Sequence, residues 1–211
     1  MNKLYRYYQR GRQPNGFWGT LAVKKMNGAQ HAALPQWVFA EEDVPHDAIM
    51  LDIGCGGGAN IARLLDKCPE GTMTGIDLAK TALAVSTDVN FVAIKDKRCV
   101  IKGGNACQLP LARDIFDLAI AFETIYYWLS IGMGFGEAFR VLKPGGKFIV
   151  ANELDGDGPE YREMEKGIGG IRIYNAEEIK QVLADVGFTD IRVRKDNERH
   201  FLCVTARKPK S

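Results

Sequence analysis

The segment Leu51-Asp-Ile-Gly-Cys-Gly-Gly-Gly-Ala59 decides how this chain is read. It closes Asp47-Ala-Ile-Met-Leu-Asp-Ile53, a short and mostly apolar run of the kind that forms a parallel strand buried on both faces. It opens Asn60-Ile-Ala-Arg-Leu-Leu-Asp66, which has helical periodicity. Glycines between a strand and a helix let the backbone turn sharply and approach a ligand with no side chain in the way. Open α/β sheets bind their ligands beyond the carboxyl ends of the strands, which is where this loop falls. As a bare pattern, Gly54-x-Gly56-x-x-Ala59 also fits a dinucleotide fingerprint, so the loop alone leaves its ligand open.

Two carboxylates narrow the choice. Asp52 stands two residues before Gly54, at the end of the buried strand, where an ionised group is costly unless paired. A pyrophosphate would repel it, and an ammonium or sulfonium would be attracted. The other reading is that Asp52 satisfies backbone donors of its own loop. Asp77 closes the next strand, Thr72 to Ile76, and a carboxylate there can accept both hydroxyls of a ribose. That suits any adenosine ligand; a solvated strand-end acid is the plainer alternative.

The alternation continues on both sides of these motifs. Residues 17 to 40 carry Phe17, Leu21, Met26, Leu34, Trp37 and Val38 at helical spacing, interrupted by Gly28 and Pro35, which predicts two short helices. Downstream, a helix is expected over Thr81 to Ile94 and strands over Cys99 to Lys102 and Phe116 to Phe122. A further helix over Phe135 to Leu142 leads through the turn Lys143-Pro-Gly-Gly146 into a strand over Lys147 to Ala151. Asn175-Ala-Glu-Glu178 is a capping box and Gly187 the matching C-terminal cap. Asp190 to Arg194 and His200 to Ala206 are strand-like and closely linked. A parallel crossover needs about a dozen residues or more, so this pair is an antiparallel hairpin. Residues 155 to 173 show no pattern.

The chain has 211 residues, 46% apolar and 26% charged, which fits one globular domain. It contains no apolar run of the roughly 20 residues a membrane span requires, and its first residues have no apolar core of a secretory signal. The five cysteines, Cys55, Cys68, Cys99, Cys107 and Cys203, form no CxxC pair, which argues against a disulfide framework and a metal site and for a reducing, cytoplasmic setting. The net charge of +2 is too small to suggest wholesale nucleic-acid binding. Residues 1 to 40 nevertheless include Lys3, Arg6, Arg10, Arg12, Lys24 and Lys25 and no acid, which reads as a solvated basic face or a basic flap over an anionic substrate.

Taken in order, the motifs resemble those of the class I S-adenosylmethionine-dependent methyltransferases. Residues 52 to 58 look like their first motif and Gly75-Ile-Asp77 like the second. Gly104-Asn-Ala-x-x-Leu-Pro110 is similar to their adenine-contacting segment, and Phe116-Asp-Leu118 with Arg140-Val-Leu-Lys-Pro-Gly-Gly146 to the fourth strand and the turn into the fifth. Pro14-x-Gly16, Met26-Asn27-Gly28, His31, Trp37 and Ala121-Phe-Glu-Thr-Ile-Tyr-Tyr-Trp128 extend the likeness to stand-alone bacterial enzymes of the methyltransferase type 11 kind.

The resemblance implies a Rossmann-like doubly wound sheet, mostly parallel with an antiparallel last strand, of order 3-2-1-4-5-7-6. The acid-free composition of the N-terminal segment further suggests a helical lid over residues 1–44 ahead of a methyltransferase domain over 45–211. S-adenosyl-L-methionine is the implied cofactor and S-adenosyl-L-homocysteine the product. Asp52, Gly54, Cys55 (through its backbone) and Gly56 would line the methionine end, Asp77 the ribose, and Leu78, Asn105, Ala106 and Phe122 the rest of the cofactor site. The family often has Asp at position 105; an Asn oxygen can accept the same hydrogen bond.

Methyl transfer from a sulfonium is an in-line displacement in which the protein supplies orientation and electrostatics. Glu123 and Glu153 follow the fourth and fifth strands, and Glu123 could take a proton from the acceptor or serve local backbone donors. Of Tyr126, Tyr127 and Trp128, one or two should line the pocket, Tyr126 first. His31 is a candidate base or lid residue. The fourth strand is followed by neither an Asn/Asp-Pro-Pro-Tyr/Phe segment nor a Pro-Cys pair, which sets aside exocyclic amino and cytosine-C5 methylation. The expected acceptor is a small molecule, met by a monomer or homodimer without nucleic acid or membrane. An RNA or protein methyltransferase and a non-catalytic scaffold are the competing readings.

Overall fold

In the first central strand of the sheet, Met50 and Leu51 point to opposite faces, and each face is covered by helices. The computed structural model describes residues 16–28 and 31–210. Lys3, Arg6, Arg10, Arg12 and Pro14 lie outside the described residues. Strands β1 (Ile49–Ile53), β2 (Thr72–Asp77), β3 (Cys99–Gly103), β4 (Phe116–Phe122), β5 (Leu142–Asn152), β6 (Thr189–Asp196) and β7 (Phe201–Arg207) form one sheet of order β3-β2-β1-β4-β5-β7-β6. The pairs from β3 to β5 are parallel, and β7 runs antiparallel to both β5 and β6. The expected order and the closing hairpin are both present.

Strand alternation splits the apolar residues between two cores. Leu51, Ile53, Phe148, Val150 and Val204 face the helices α6 (Ile131–Val141) and α8 (Ala176–Val186). Met50, Ile120, Ile149 and Cys203 face α2 (Ala33–Phe39) and α3 (Ala59–Lys67). The capping box at Asn175 and Glu178 is formed, and Gly187 takes the left-handed conformation at the end of α8.

The N-terminal helices divide the segment that the sequence treats as one lid. Leu34, Val38 and Phe39 of α2 are buried in the sheet's core. Arg194 of β6 lies over the Trp37 ring at 4.3 Å and donates to the carbonyls of Trp37 and Val38 at 3.0 Å each. So α2 is part of the covering layer. Pro35 does not break it, because a proline in the first helical turn sacrifices no intrahelical bond. The interruption falls between Met26 and Ala33, the stretch that contains Gly28. Ahead of it, α1 (Gly16–Met26) packs on α4 (Lys80–Val89) and buries Val23.

Three local expectations are corrected. The helix expected over 81 to 94 is two, α4 and α5 (Phe91–Lys95), because Asn90 leaves helical geometry and its amide donates to the carbonyls of Gly58 and Ser86. Strand β5 starts at Leu142, five residues early, and the turn Lys143–Gly146 becomes a register shift opposite Phe116 and Leu118. The patternless stretch contains α7 (Glu160–Ile168), whose Tyr161, Met164 and Ile168 are buried with Tyr126, Leu154, Ile171 and Ile173 in a separate small core.

The Arg140 motif has a positioning role. Its guanidinium pairs with Glu137 at 2.7 Å and donates to the carbonyls of Leu111 and Leu109, while Glu137 accepts from the Leu109 amide at 2.6 Å. One helix of the second core thereby fixes the loop that follows β3.

Candidate active site

The glycine loop is held from both sides. The Gly54 and Cys55 amides both donate to the Ile76 carbonyl of β2. Asp77 accepts from the Gly56 amide at 2.9 Å through one oxygen and from the Ala79 amide at 2.8 Å through the other. Gly54, Gly56 and Gly58 all have positive φ, which only glycine adopts without strain. At Gly54 a Cβ would sit 2.0 Å from the Thr124 hydroxyl oxygen; at Gly56 it would meet nothing within 4 Å. The first position is closed by β4's loop and the second opens on space.

Two cavities share that space. The first, 130 Å³, is lined by Gly54 to Gly57, Asp77, Phe122, Glu123, Tyr127, Glu153 and His31, with Asn27, Asn60 and Arg63 among its polar wall. The second, 670 Å³, is lined by Asp77, Leu78, Asn105, Ala106, Tyr127 and Trp128, and extends to Gly170–Tyr174. Gly54, Asp77, Thr124 and Tyr127 belong to both. Cys55 turns its thiol inward, with Sγ 3.9 Å from the Ser86 hydroxyl, and burial raises its pKa well above the ordinary thiol value. Asn105 turns its side-chain oxygen onto the Cys107 amide at 2.9 Å.

Asp52 lines neither cavity. It is 2% exposed beneath the loop, on the face of β1 that looks toward α2 and α3, and its Oδ2 has no hydrogen-bond partner among the described residues. Loss of water, and then the neighbouring Asp77, push its pKa up to about 8. The sequence treats it as an ionised carboxylate at the methionine end; here it is a buried acid that keeps its proton at neutral pH. Burial also raises the pKa of Asp77, against the lowering effect of the backbone donors of Ala79 and Gly56.

The ends of β4 and β5 carry the titratable cluster. Glu123 holds φ +58°, a left-handed conformation that costs a non-glycine residue roughly 1–3 kcal/mol. Its Oε1 accepts from the Tyr126 hydroxyl at 3.0 Å and from the Glu153 amide at 2.5 Å. Tyr126 is 1% exposed and its hydroxyl also accepts from the Leu154 amide. Glu123 and Tyr126 thus brace the two strand ends, and Tyr127 is the aromatic that both cavities share. His31 Nδ1 lies 3.4 Å from Glu153 Oε1, and its pKa is raised chiefly by that carboxylate, against the opposing effect of burial. The His31 ion pair and the Asn27 amide, which donates to the Gly57 carbonyl at 2.7 Å, tie the N-terminal segment to the site.

Sequence reasoning passed over Thr124, Arg63 and the Asn27 contact. Arg63 stands one helical turn beyond Ala59, so spacing could have pointed to it. Thr124 and Asn27 lie in quoted motifs, but their contacts with the loop come from long-range packing that local pattern does not reveal.

Asp52 makes the unliganded fold pH-dependent. Between the ordinary carboxylate range and about 8, the folded chain keeps a proton that the unfolded chain has released. The contribution of this position to stability is therefore present at low pH and falls as pH rises through that window. Asp52→Asn should melt progressively higher than the parent chain between pH 4 and pH 8, at about 2–4 °C per kcal/mol for this chain length. Melting curves that shift equally at both ends would rule out Asp52 as the titrating group.

The methyltransferase-domain family model matches residues 51–150, from the glycine loop to the end of β5. A malonyl-[acyl-carrier protein] O-methyltransferase of Geobacter sulfurreducens is 31% identical over 176 residues, covering 78% of this chain and 63% of that one. YdaC of Bacillus subtilis, an uncharacterized methyltransferase, is 25% identical over 189 residues, covering 86% and 94%. The chain spans 63, 45 and 53% of the lengths of the first three curated relatives. Among solved structures, an S-adenosylmethionine-dependent methyltransferase of Aquifex aeolicus superposes with a TM-score of 0.73 at 18% identity, over 89% of this chain and 97% of that one. With this sheet order and these matches to the glycine loop and the strands around it, residues 51–150 form a methyltransferase domain with the fold of the S-adenosylmethionine-dependent methyltransferases.

Proposed function

We propose that the chain transfers the methyl group of S-adenosylmethionine to an O, N or S atom of a small molecule and releases S-adenosylhomocysteine. One observation carries this reading: the glycine loop, Asp77 and the cluster of His31, Glu153 and Glu123 line a single cavity. Ligand-binding backbone and titratable side chains therefore meet in one space. The second cavity falls within the ~300–1,000 Å³ typical of small-molecule clefts.

The residues fit the cofactor. The backbone at Gly56 faces open space, so a ligand can approach it closely. Each Asp77 oxygen uses one acceptor position on a backbone amide, leaving another for a ribose hydroxyl. Leu78 is 66% exposed in the second cavity beside Asn105 and Ala106, an apolar surface for a planar base. When bound, the cofactor supplies a methyl carbon activated by a positively charged sulfur.

The chain's own residues do the rest. Glu123 and Glu153 place negative charge on the first cavity's wall, where it favours a cation. His31, backed by Glu153, accepts the proton of an acceptor that must lose one, and the carboxylate stabilises the imidazolium that results. Residues 16–28 and His31 act as the flap: Asn27 and His31 hold it on the loop and on Glu153, where it excludes water. The small net charge disfavours an RNA acceptor.

Calorimetry with S-adenosylhomocysteine should show binding that Asp77→Ala weakens by about a hundredfold or more, the equivalent of two hydrogen bonds to a charged group; absence of heat with the parent chain would sink the cofactor reading. A screen of metabolite fractions with methyl-labelled cofactor finds the acceptor. With that acceptor, kcat/KM should rise with pH through an apparent pKa above 6.5, because the base must be neutral and its pKa is raised. His31→Gln should lower the plateau by about 10²–10⁴ and erase the rise; a retained limb would assign the proton elsewhere. Deleting residues 2–28 should leave a cooperatively melting core, since α2 stays anchored, and should abolish turnover. Full activity in the truncated chain would remove the flap from the mechanism.

A further inference from the structure

Arg63 is the one permanently charged cation among the described residues that line the first cavity. It sits one turn into α3, the helix that the glycine loop opens. Its guanidinium donates to the Asn60 side-chain oxygen at 2.9 Å, a neutral partner that also lines the cavity. Among the described residues no carboxylate lies within ion-pair distance of it. A guanidinium presents several donors in a rigid fork that matches a carboxylate, and leaving that fork half-buried with only an amide oxygen is unfavourable.

The acids of the same cavity stand at strand ends, Asp77 on β2 and Glu123 and Glu153 just after β4 and β5. The cavity is thus polarised, with one permanent positive charge on the helix α3 and carboxylates along the sheet edge. A ligand that carries an anionic group at one end and a cationic centre a few bonds away matches that polarity in one orientation only. The first turn of α3 contains no acid, and Gly58 before it offers no side-chain acceptor, so among the described residues no carboxylate competes for the guanidinium.

Resting on the cofactor reading above, we propose that Arg63 is the binding residue for the α-carboxylate of the cofactor's amino-acid moiety. Arg63 and not the glycine loop then separates the intact cofactor and its product from nucleosides that lack that carboxylate. It also sets the direction in which the ligand lies, with the sulfur toward Glu123 and Glu153. The loop and Asp77 recognise the nucleoside, and Arg63 recognises the amino acid.

The test compares three ligands by calorimetry on the full chain and on Arg63→Gln. They are S-adenosylhomocysteine, its decarboxylated analogue, and 5′-methylthioadenosine, which keeps the nucleoside and the sulfur but has no amino acid. The parent chain should bind S-adenosylhomocysteine at least tenfold more tightly than the other two. Arg63→Gln should lose ten- to hundredfold for S-adenosylhomocysteine and less than twofold for the other two, with an unchanged melting curve before ligand is added. Arg63→Lys should recover part of the loss. An equal loss for all three ligands would overturn the assignment, as would unchanged binding of S-adenosylhomocysteine, which would leave the guanidinium to an anionic acceptor. If the parent chain binds none of the three, the cofactor reading itself falls, a result distinct from either.

Discussion

The architecture of the site depends on one carboxylate. Asp77 ends β2 and takes the Gly56 amide on one oxygen and the Ala79 amide on the other. The first bond ties the glycine loop of β1 to the neighbouring strand, and the second sets the chain's path toward α4. Without them the loop would hang from the sheet by the Gly54 and Cys55 amides alone. The same two oxygens face the cavity, so the group that shapes the site is also available to its ligand. Burial of such a group is unfavourable, and the backbone donors are what keep it tolerable.

A second layer of constraint comes from side chains that pack against the loop itself. Thr124 occupies the space that any side chain at position 54 would need. Asn90 breaks a helix to reach the Gly58 carbonyl from below, while Asn27 reaches the Gly57 carbonyl from the other side. A loop so clamped has little left to order when a ligand arrives, which lowers the entropic cost of binding.

Most of the fold was legible because it is written in local periodicity. A buried strand ending in glycines, a capping box at Asn175 and a hairpin too short for a crossover each have a local cause, and the sheet order follows once the family resemblance is admitted. What local pattern could not supply was side-chain direction. Asp52 and Asp77 look equivalent as strand-end acids, but in β1 the residue at 52 alternates onto a covered face, whereas Asp77 is the last residue of its strand and meets the loop. Tyr126 and Tyr127 are neighbours in sequence, and only the tight turn over Ile125–Tyr127 decides that the first is buried on Glu123 and borders the second cavity alone, while the second faces both cavities. The helix over Glu160–Ile168 did carry a signal in Tyr161, Met164 and Ile168, masked by the glycines and charges around it.

The acids at the carboxyl edge have a consequence of their own. Four contiguous strands, β2, β1, β4 and β5, each finish in or beside an acid: Asp77, Asp52, Glu123 and Glu153. The ladders on either side prevent these groups from drifting apart, and Asp77 adds to the burial that raises the Asp52 pKa. A positive charge placed across this edge is favoured without any rearrangement of the strands, because the carboxylates are already held in position.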